Sequence, residues 1–225
     1  MQLYIGNKNY SSWSMRPWLL MKQADIAFEE KPLRLSWDDA SPFKKTLHAL
    51  APTGRVPLLV DDGFAVWDSL AIAEYLAEKF PAKRLWPAER LQRARARSLC
   101  AEMHSGFGEL RNIFVMNIEA ELADIGARML VEKPAAAREL ARIDAMWQEA
   151  LAASGGPFLF ADFSIADAFF APVCSRVATY GLPLAPPSAA YAERIRALPA
   201  FVAWADAGRA EHDFLPEDEP YRTHR

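Results

Sequence analysis

The chain has little cysteine and no long apolar run, and each shortage excludes a class of protein. Only two of its 225 residues are cysteines, Cys100 and Cys174, and they lie far apart and outside any Cys-x-x-Cys motif. This pattern supports neither a disulfide framework nor a zinc site, so we expect no metal. No run of about 18 apolar residues that could span a bilayer occurs, and residues 2–6 read as a strand rather than a signal peptide. We therefore expect no membrane association and a reducing, cytoplasmic setting.

The chain also lacks a large net charge. It carries 26 Lys and Arg against 29 Asp and Glu, for a net charge of -3 at pH 7. This balance gives no electrostatic reason to expect nucleic-acid binding. Hydrophobic residues make up 52% and charged residues 24%, which is ordinary for a globular protein that buries ample core in one large or two small domains.

The strongest local signals that are present lie between residues 55 and 80. Residues 57–60 read as a strand, Asp62 and Gly63 as a tight turn, and residues 64–67 as a second strand. An Asp-Gly pair between two short apolar runs is the strongest short-range signal for a hairpin, because a two-residue type I′ turn needs positive φ. The segment therefore predicts a β-hairpin.

A helix follows this hairpin. Asp68 and Ser69 stand where the strand gives way to apolar residues at helical spacing, namely Ile72, Leu76 and Phe80. Taken singly, an Asp-Ser pair before a helix is usually only a cap. A hydroxyl beside free backbone amides at a helix start is nevertheless a place where a carboxylate can bind.

The amino-terminal part reads as a strand over residues 2–5, followed by a serine-rich loop and a helix. Pro17 is harmless only in the first turn of a helix, which puts the N-cap near Ser14 and leaves Ser11 and Ser12 in the preceding loop. By spacing alone, capping and turn roles are favoured for all three serines.

The order of elements predicts an α/β fold followed by helices. A second strand over residues 28–35 and a short helix from Ser41 to about residue 50 complete a thioredoxin-like domain with a mixed four-stranded sheet over residues 1–80. Residues 81–88 read as a linker, and residues 89–225 as an all-helical domain. Helices are expected over residues 89–117, from Pro134, and over residues 188–197 and 199–209, with a tail from residue 211 lying across the surface.

The segment around the hairpin resembles the glutathione-binding half of the cytosolic glutathione S-transferases. That family has Val-Pro with a cis proline, a hairpin, an acidic or amide residue followed by Ser, and an S-L-A-I-x-x-Y-L helix. Here these are Val56-Pro57, Asp68 and Ser69, and residues 69–76. The family more often has Glu or Gln at the position of Asp68. Ser164 and Asp167 form a variant capping box that resembles the family's S/T-x-A-D signature, and we assign them to folding.

Residues 11–16, Ser-Ser-Trp-Ser-Met-Arg, resemble the S-S-C-S-x-R motif of the zeta class. In that class the first serine is the catalytic hydroxyl. The resemblance therefore implies that Ser11 is catalytic, with Ser12 beside it. Trp13 replaces the cysteine of the zeta motif, so we do not expect mixed-disulfide chemistry.

The same resemblance implies roles for the residues that would bind glutathione. Ser69 and the helix amides fit the γ-glutamyl carboxylate, and Asp68 fits the ammonium group. The backbone of Val56, exposed by the cis Pro57, would pair with the cysteinyl residue. Lys44 is our choice for the glycyl carboxylate, although Lys44, Lys45 and His48 also fit a solvated helix face.

The second substrate would lie between the serine loop and the helical domain. Its candidate contacts are Trp13, His104, Phe107 and Arg111. Arg176 is a candidate contact for an anionic group, and a surface ion pair is the favoured alternative for it.

The leading hypothesis is a serine-type glutathione transferase that activates the glutathione thiol for attack on a small, hydrophobic electrophile in detoxification. A second is a glutathione-dependent cis–trans isomerase like the zeta class, whose later arginine aligns with Thr179, one turn from Arg176. A third is a non-catalytic glutathione-binding stress-response protein. The resemblance also implies a homodimer.

Overall fold

The computed structural model describes residues 1–224, which begin with a four-stranded mixed sheet. Its strands follow the order β2-β1-β3-β4. Strand β1 pairs in parallel with β2 and antiparallel with β3, and β3 pairs antiparallel with β4. The strands are β1 (Gln2–Ile5), β2 (Glu29–Pro32), β3 (Leu58–Asp61) and β4 (Phe64–Trp67). The predicted thioredoxin-like sheet is confirmed, with a second strand shorter than residues 28–35.

The hairpin and the helix behind it form as the local sequence predicts. Asp62 and Gly63 have φ of 48° and 85°, the positive values that a tight two-residue turn requires. Helix α3 (Ser69–Lys79) begins after Asp68, whose side chain accepts hydrogen bonds from the first amides of the helix. The Val56-Pro57 peptide bond is cis.

Helix α1 (Ser12–Gln23) starts earlier than the sequence predicts. Its N-cap is Ser11 rather than Ser14, because the Ser11 carbonyl already accepts a hydrogen bond from the Met15 amide at 3.1 Å. Pro17 therefore lies in the second turn, where its missing N–H removes one intrahelical bond. Helix α2 (Pro42–Leu50) is capped by Ser41, as predicted.

The rest of the chain is helical, but the long helix predicted over residues 89–117 is wrong. It breaks at Gly106 and Phe107, because Phe107 takes the left-handed conformation at φ 56° and separates two helices. Helix α6 was not predicted at all. The helices are α4 (Arg90–Ser105), α5 (Gly108–Ile113), α6 (Ala123–Glu132), α7 (Pro134–Ser154), α8 (Ile165–Tyr180), α9 (Pro186–Arg196) and α10 (Pro199–Ala210).

One apolar core joins the sheet domain to the helices. Helix α1 packs against α3 on one side and against α8 and α10 on the other. Helix α8 is buried along almost its whole length. The predicted capping box at its start is present, since the Ser164 amide donates to Asp167 Oδ2 at 2.8 Å. The division at residues 80 and 89 stays a prediction.

The tail from residue 211 is held against the rest of the chain by contacts that its sequence did not predict. Leu215 and Glu219 are only 2% and 5% exposed. Carboxylates of this tail bind the loop before α1, so long-range contacts hold a segment that has no periodicity of its own. Among residues 1–224, no helix is long and apolar enough to cross a bilayer.

Candidate functional site

Two cavities lie at the junction of the sheet domain and the helices, and they share Trp13, Arg55 and Val56. The serine cavity has a volume of about 770 Å³ and the Asp68 cavity one of about 320 Å³. The serine cavity is also lined by Tyr10, Ser11, Ser12, Trp37, Lys44, Arg111, Met116, Arg176, Glu217 and Asp218. The Asp68 cavity is also lined by Pro57, Trp67, Asp68, Ser69 and His104.

The Asp68 cavity combines a carboxylate with a free hydroxyl. Asp68 Oδ1 accepts from the amide of Leu70 at 2.8 Å, and Asp68 Oδ2 lies 3.2 Å from His104 Nε2. Ser69 is 1% exposed, and its Oγ has no hydrogen-bond partner. A buried polar atom without a partner calls for an explanation, and a polar ligand in this cavity supplies one.

His104 adds a group from the helical part of the chain to this cavity. Burial lowers the pKa of its imidazole, and the nearby Asp68 carboxylate partly opposes this change. At neutral pH the imidazole is therefore neutral. Its Nε2 can donate to Asp68, whereas its buried Nδ1 has no partner.

The Ser11 hydroxyl in the serine cavity is bonded to a second hydroxyl, that of the buried Ser14. Ser11 Oγ and Ser14 Oγ are 2.8 Å apart, and Ser14 Oγ accepts from the Gly6 amide at 3.1 Å. Because a hydroxyl rotates, Ser14 can donate its proton to Ser11, which frees the Ser11 proton for an acceptor in the cavity. Ser12 also lines this cavity and is 8% exposed.

Tyr10 lines the same cavity, but its hydroxyl is already bound. It donates to Glu219 Oε1 at 2.7 Å and lies 3.2 Å from the Asp213 carbonyl oxygen. Burial and the hydrogen bond to Glu219 raise the pKa of Tyr10 to about 12. The phenol therefore stays protonated at neutral pH and directs its proton away from the cavity.

Trp13 separates the two cavities and is surrounded by cationic groups. The guanidinium of Arg16 lies 4.2 Å from its ring centroid and that of Arg111 lies 5.2 Å away. The ring of His104 meets the indole edge-on at 5.3 Å. Such cation–π contacts fix the indole in place between the two cavities.

Three arginines near the serine cavity lack a neutralising partner. Burial lowers the pKa of Arg16 to about 9, with contributions from the charges of Arg111 and Arg176. Burial also lowers the pKa of Arg176 to about 10. Arg176 donates to the carbonyl oxygens of Phe114 and Pro172 at 2.6 and 3.1 Å. In residues 1–224 none of the three forms an ion pair with a carboxylate. Arg111 and Arg176 therefore bring unpaired positive charge to a cavity that Glu217 and Asp218 also line.

Most of the predicted site residues meet at these two cavities. Phe107 lines neither of them and lies at the break between α4 and α5, facing a shallow cavity with Glu102 and Arg138. His104, expected beside the second substrate, lines the Asp68 cavity instead. Arg176 is buried rather than part of a surface ion pair.

Some lining residues escaped the sequence analysis. Arg55 lines both cavities, and its place directly before Val56-Pro57 was a usable signal. Ser14, which bonds to Ser11 but lines neither cavity, was assigned only a capping role. No local signal connects Glu217 and Asp218 with residues more than 200 positions earlier.

Two family profiles match most of the chain. The profile for the glutathione S-transferase N-terminal domain matches residues 10–79, and that for the C-terminal domain matches residues 97–207. The chain belongs to the glutathione S-transferase family.

Among residues 1–224, no group of three or more His, Cys, Asp or Glu side chains could hold a metal ion.

Individual relatives agree with this assignment. The chain is 35% identical to maleylacetoacetate isomerase of Rattus norvegicus over 114 residues and to that of Pseudomonas aeruginosa over 119 residues. These matches span about half of each chain, at 51–52% of this one and 52–55% of the relatives.

Solved structures match over almost the full length. A Burkholderia glutathione transferase homologue with bound glutathione is 28% identical, covers 93% of this chain and 97% of its own, and has a TM-score of 0.66. A maleyl pyruvate isomerase described as a zeta-class transferase shares the fold, at 24% identity, 92% and 98% coverage and a TM-score of 0.68.

Proposed function

We propose that this protein is a glutathione transferase in which Ser11 stabilises the glutathione thiolate. The observation that carries the proposal is that two hydroxyl sites suited to glutathione lie at adjoining cavities. One is the partnerless Ser69 hydroxyl, and the other is the Ser11–Ser14 hydroxyl pair. Both lie beside Val56, whose backbone precedes the paired part of β3 and is free to pair with a peptide.

Glutathione fits these positions group by group. Its γ-glutamyl carboxylate would bind Ser69 and the first amides of α3, where a helix start favours an anion. Its ammonium group would bind Asp68, and its cysteinyl backbone would pair with Val56. The glycyl carboxylate would lie near Lys44 and Arg55, whose positive charges line the serine cavity.

The thiol would then lie beside Ser11. A free thiol has a pKa of about 8.5, and each unit of lowering requires about 1.4 kcal/mol of preference for the thiolate. A donated hydroxyl proton and the amino-terminal end of α1 supply such a preference. The thiolate attacks the electrophile and displaces its leaving group or adds to its double bond. No covalent bond to the protein forms.

Substitution of Ser11 tests this role directly. We expect Ser11→Ala to raise the pKa of bound glutathione by about one unit or more, since the thiolate loses one charge-assisted hydrogen bond. Turnover of an activated haloarene at pH 6.5 should fall at least about tenfold, while glutathione binding changes little. Ser12→Ala is the matched control. A larger effect of Ser12→Ala would transfer the role to Ser12, and unchanged turnover in both variants would refute the serine mechanism. If the unsubstituted protein binds glutathione but turns over no haloarene, a non-catalytic binding protein is favoured.

The arginines favour a second candidate function, the glutathione-dependent isomerisation of a carboxylate-bearing substrate. Arg176 lines the serine cavity, whereas Thr179 is buried and donates to the Asn117 carbonyl oxygen at 2.6 Å. Arg176 would therefore take the anion-binding role that Thr179 cannot. The names of the relatives agree with this chemistry. Turnover of maleylacetoacetate that is faster than that of a neutral haloarene would favour the isomerase.

A cytoplasmic homodimer active in detoxification is also part of the proposal. Cys100 and Cys174 are free and buried, which suits a reducing compartment. Exposed apolar side chains, among them Phe64 and Leu91, suit an interface between two copies of the chain.

A further inference from the structure

The loop before Ser11 is held by distant parts of the chain. Residues 7–11 connect β1 to α1 without regular structure of their own. The amides of Lys8 and Asn9 donate to the Glu211 carboxylate at 2.6 and 3.3 Å. The Lys8 carbonyl oxygen accepts from the Trp204 indole at 2.9 Å. The position of this loop is therefore set by residues from α10 and the tail.

The tail contacts nearest to Ser11 are made through Tyr10, whose hydroxyl meets Glu219 and also lies 3.2 Å from the Asp213 carbonyl oxygen. The side chain of Tyr10, the residue before Ser11, is 5% exposed, and its hydroxyl donates to Glu219 Oε1 at 2.7 Å. The same carboxylate accepts from Asn117 Nδ2 at 2.8 Å and from Arg222 Nε at 2.8 Å. Several donors on one buried carboxylate give it a single orientation.

Asn117, which donates to the Glu219 carboxylate, is itself held in place by the backbone. Asn117 Oδ1 accepts from the amides of Glu119 and Ala120 at 3.1 and 3.0 Å. Asn9 Oδ1 accepts from the Ile118 amide at 2.8 Å, which ties the serine loop to the same turn. The carboxylate of Glu219 thus joins the loop to a rigid part of the helical domain.

We propose that Glu219 is a positioning residue that acts through Tyr10 to hold the Ser11 hydroxyl in place for the glutathione thiol. This inference rests on the proposed function. The Ser11 amide donates to the Asn7 carbonyl oxygen at 2.8 Å, so Tyr10 and Ser11 belong to one tight turn, and a shift of the Tyr10 side chain moves the Ser11 backbone. A hydroxyl must lie about 2.6–3.2 Å from the atom it serves, and an error of about 1 Å can cost about a hundredfold in rate.

A direct role of Tyr10 is the competing explanation. If Tyr10 itself donated to the thiol, loss of the Glu219 carboxylate would free its hydroxyl for that bond, and activity would be kept or increased. The two explanations therefore predict opposite effects of a substitution at Glu219.

The experiment uses Tyr10→Phe, Glu219→Gln and the double variant in the full chain. Tyr10→Phe keeps the ring and removes only the hydroxyl. Tyr221→Phe is the matched control, because the Tyr221 hydroxyl donates to the Ile113 carbonyl oxygen at 2.8 Å and does not touch the serine loop. The readouts are the pKa of bound glutathione, from its thiolate absorbance, kcat/KM for an activated haloarene, and the glutathione dissociation constant.

We expect both single variants to raise the thiol pKa by about half a unit to one unit, which lowers kcat/KM at pH 6.5 by about 3- to 10-fold. The glutathione dissociation constant should change less than about twofold, because the γ-glutamyl contacts lie elsewhere. The kcat/KM of the double variant should be no lower than that of the less active single variant, since the two residues act as one unit. Tyr221→Phe should match the unsubstituted protein.

Two outcomes would overturn the inference. An unchanged thiol pKa in both variants, while Ser11→Ala raises it, would mean that Glu219 has no part in positioning Ser11. Loss of activity in Tyr10→Phe but not in Glu219→Gln would assign the thiol contact to Tyr10 itself. If Ser11→Ala leaves the thiol pKa unchanged, the proposed function fails as well, and the two failures are thereby distinguished.

Discussion

Ser69 has a hydroxyl that is fully enclosed and yet unbonded, and this makes it the most direct test of ligand binding. Removing a hydroxyl that has no partner costs the folded protein little. Removing one that binds a carboxylate costs about 1–2 kcal/mol of binding free energy. We therefore expect Ser69→Ala to raise the glutathione dissociation constant about 5- to 30-fold in a calorimetric titration, while the urea midpoint stays nearly constant.

Ser188 provides the matched control for this substitution. It is fully buried, and its Oγ lies 3.3 Å from the Asp144 carbonyl oxygen, remote from both cavities. Ser188→Ala should lower stability by about 1 kcal/mol and leave glutathione binding unchanged. If Ser69→Ala lowered the urea midpoint and left the glutathione dissociation constant unchanged, a ligand at Ser69 would be ruled out.

His104 gives the protein a pH dependence whose direction follows from its burial. Burial lowers the pKa of the folded-state imidazole, while an unfolded histidine takes up its proton near pH 6.5. Below about pH 6.5 the unfolded state binds more protons than the folded state, so stability falls as the pH falls. Urea unfolding at pH 7.5 and 5.5 should show a larger loss for the unsubstituted protein than for His104→Gln. Equal losses in the two proteins would contradict this account.

Among the helices, α6 depends on close contact with α8. A Cβ added at Gly126 would lie 1.8 Å from the Tyr180 carbonyl oxygen, so α6 and α8 must move apart in Gly126→Ala. We expect this variant to lose at least about 2 kcal/mol of unfolding free energy. Gly108 in α5 has nothing within 4 Å of the same position, and Gly108→Ala should gain about 0.5–1 kcal/mol. Urea midpoints of the two variants shifted in the same direction would refute this packing argument.

These helices also show what local sequence could and could not predict. The hairpin at Asp62 and Gly63 and the start of α3 at Ser69 depend on neighbouring residues, and both were predicted correctly. The break at Phe107 was not, because an apolar residue in a left-handed conformation is stabilised by tertiary contacts that no local pattern records. Helix α6 lacks a side-chain N-cap, which removed its clearest start signal.

The site residues likewise fall into those that local sequence predicts and those that depend on tertiary packing. Ser11, Val56 and Asp68 belong to short motifs, and the structure brings them to two adjoining cavities. Arg111 and Arg176 were also named as candidate contacts, and both line the serine cavity. The burial of Arg176 and the contribution of the tail could not be predicted, because they arise from packing between segments far apart in the chain. Ser14 was visible in the sequence, but its contact with Ser11 depends on where α1 begins.

At the scale of the whole molecule, one large core joins the sheet domain to the helices. Helix α1 packs against α3, α8 and α10, and the rings of Trp18 and Trp204 meet edge-on at 5.1 Å across the junction. Unfolding either part would expose the apolar faces of the other. We therefore expect one cooperative transition, with far-UV circular dichroism and tryptophan fluorescence giving the same urea midpoint. Two separate transitions would show that the parts fold independently.

The bond between Tyr10 and Glu219 also has a consequence for biosynthesis. The loop that contains Ser11 is translated well before its anchor, which is encoded about two hundred codons further along the message. A nascent chain halted between the two would carry Ser11 without the carboxylate that we propose orients its hydroxyl. Under this proposal, the arrangement around Ser11 is completed only after the ribosome has passed the codon for Glu219.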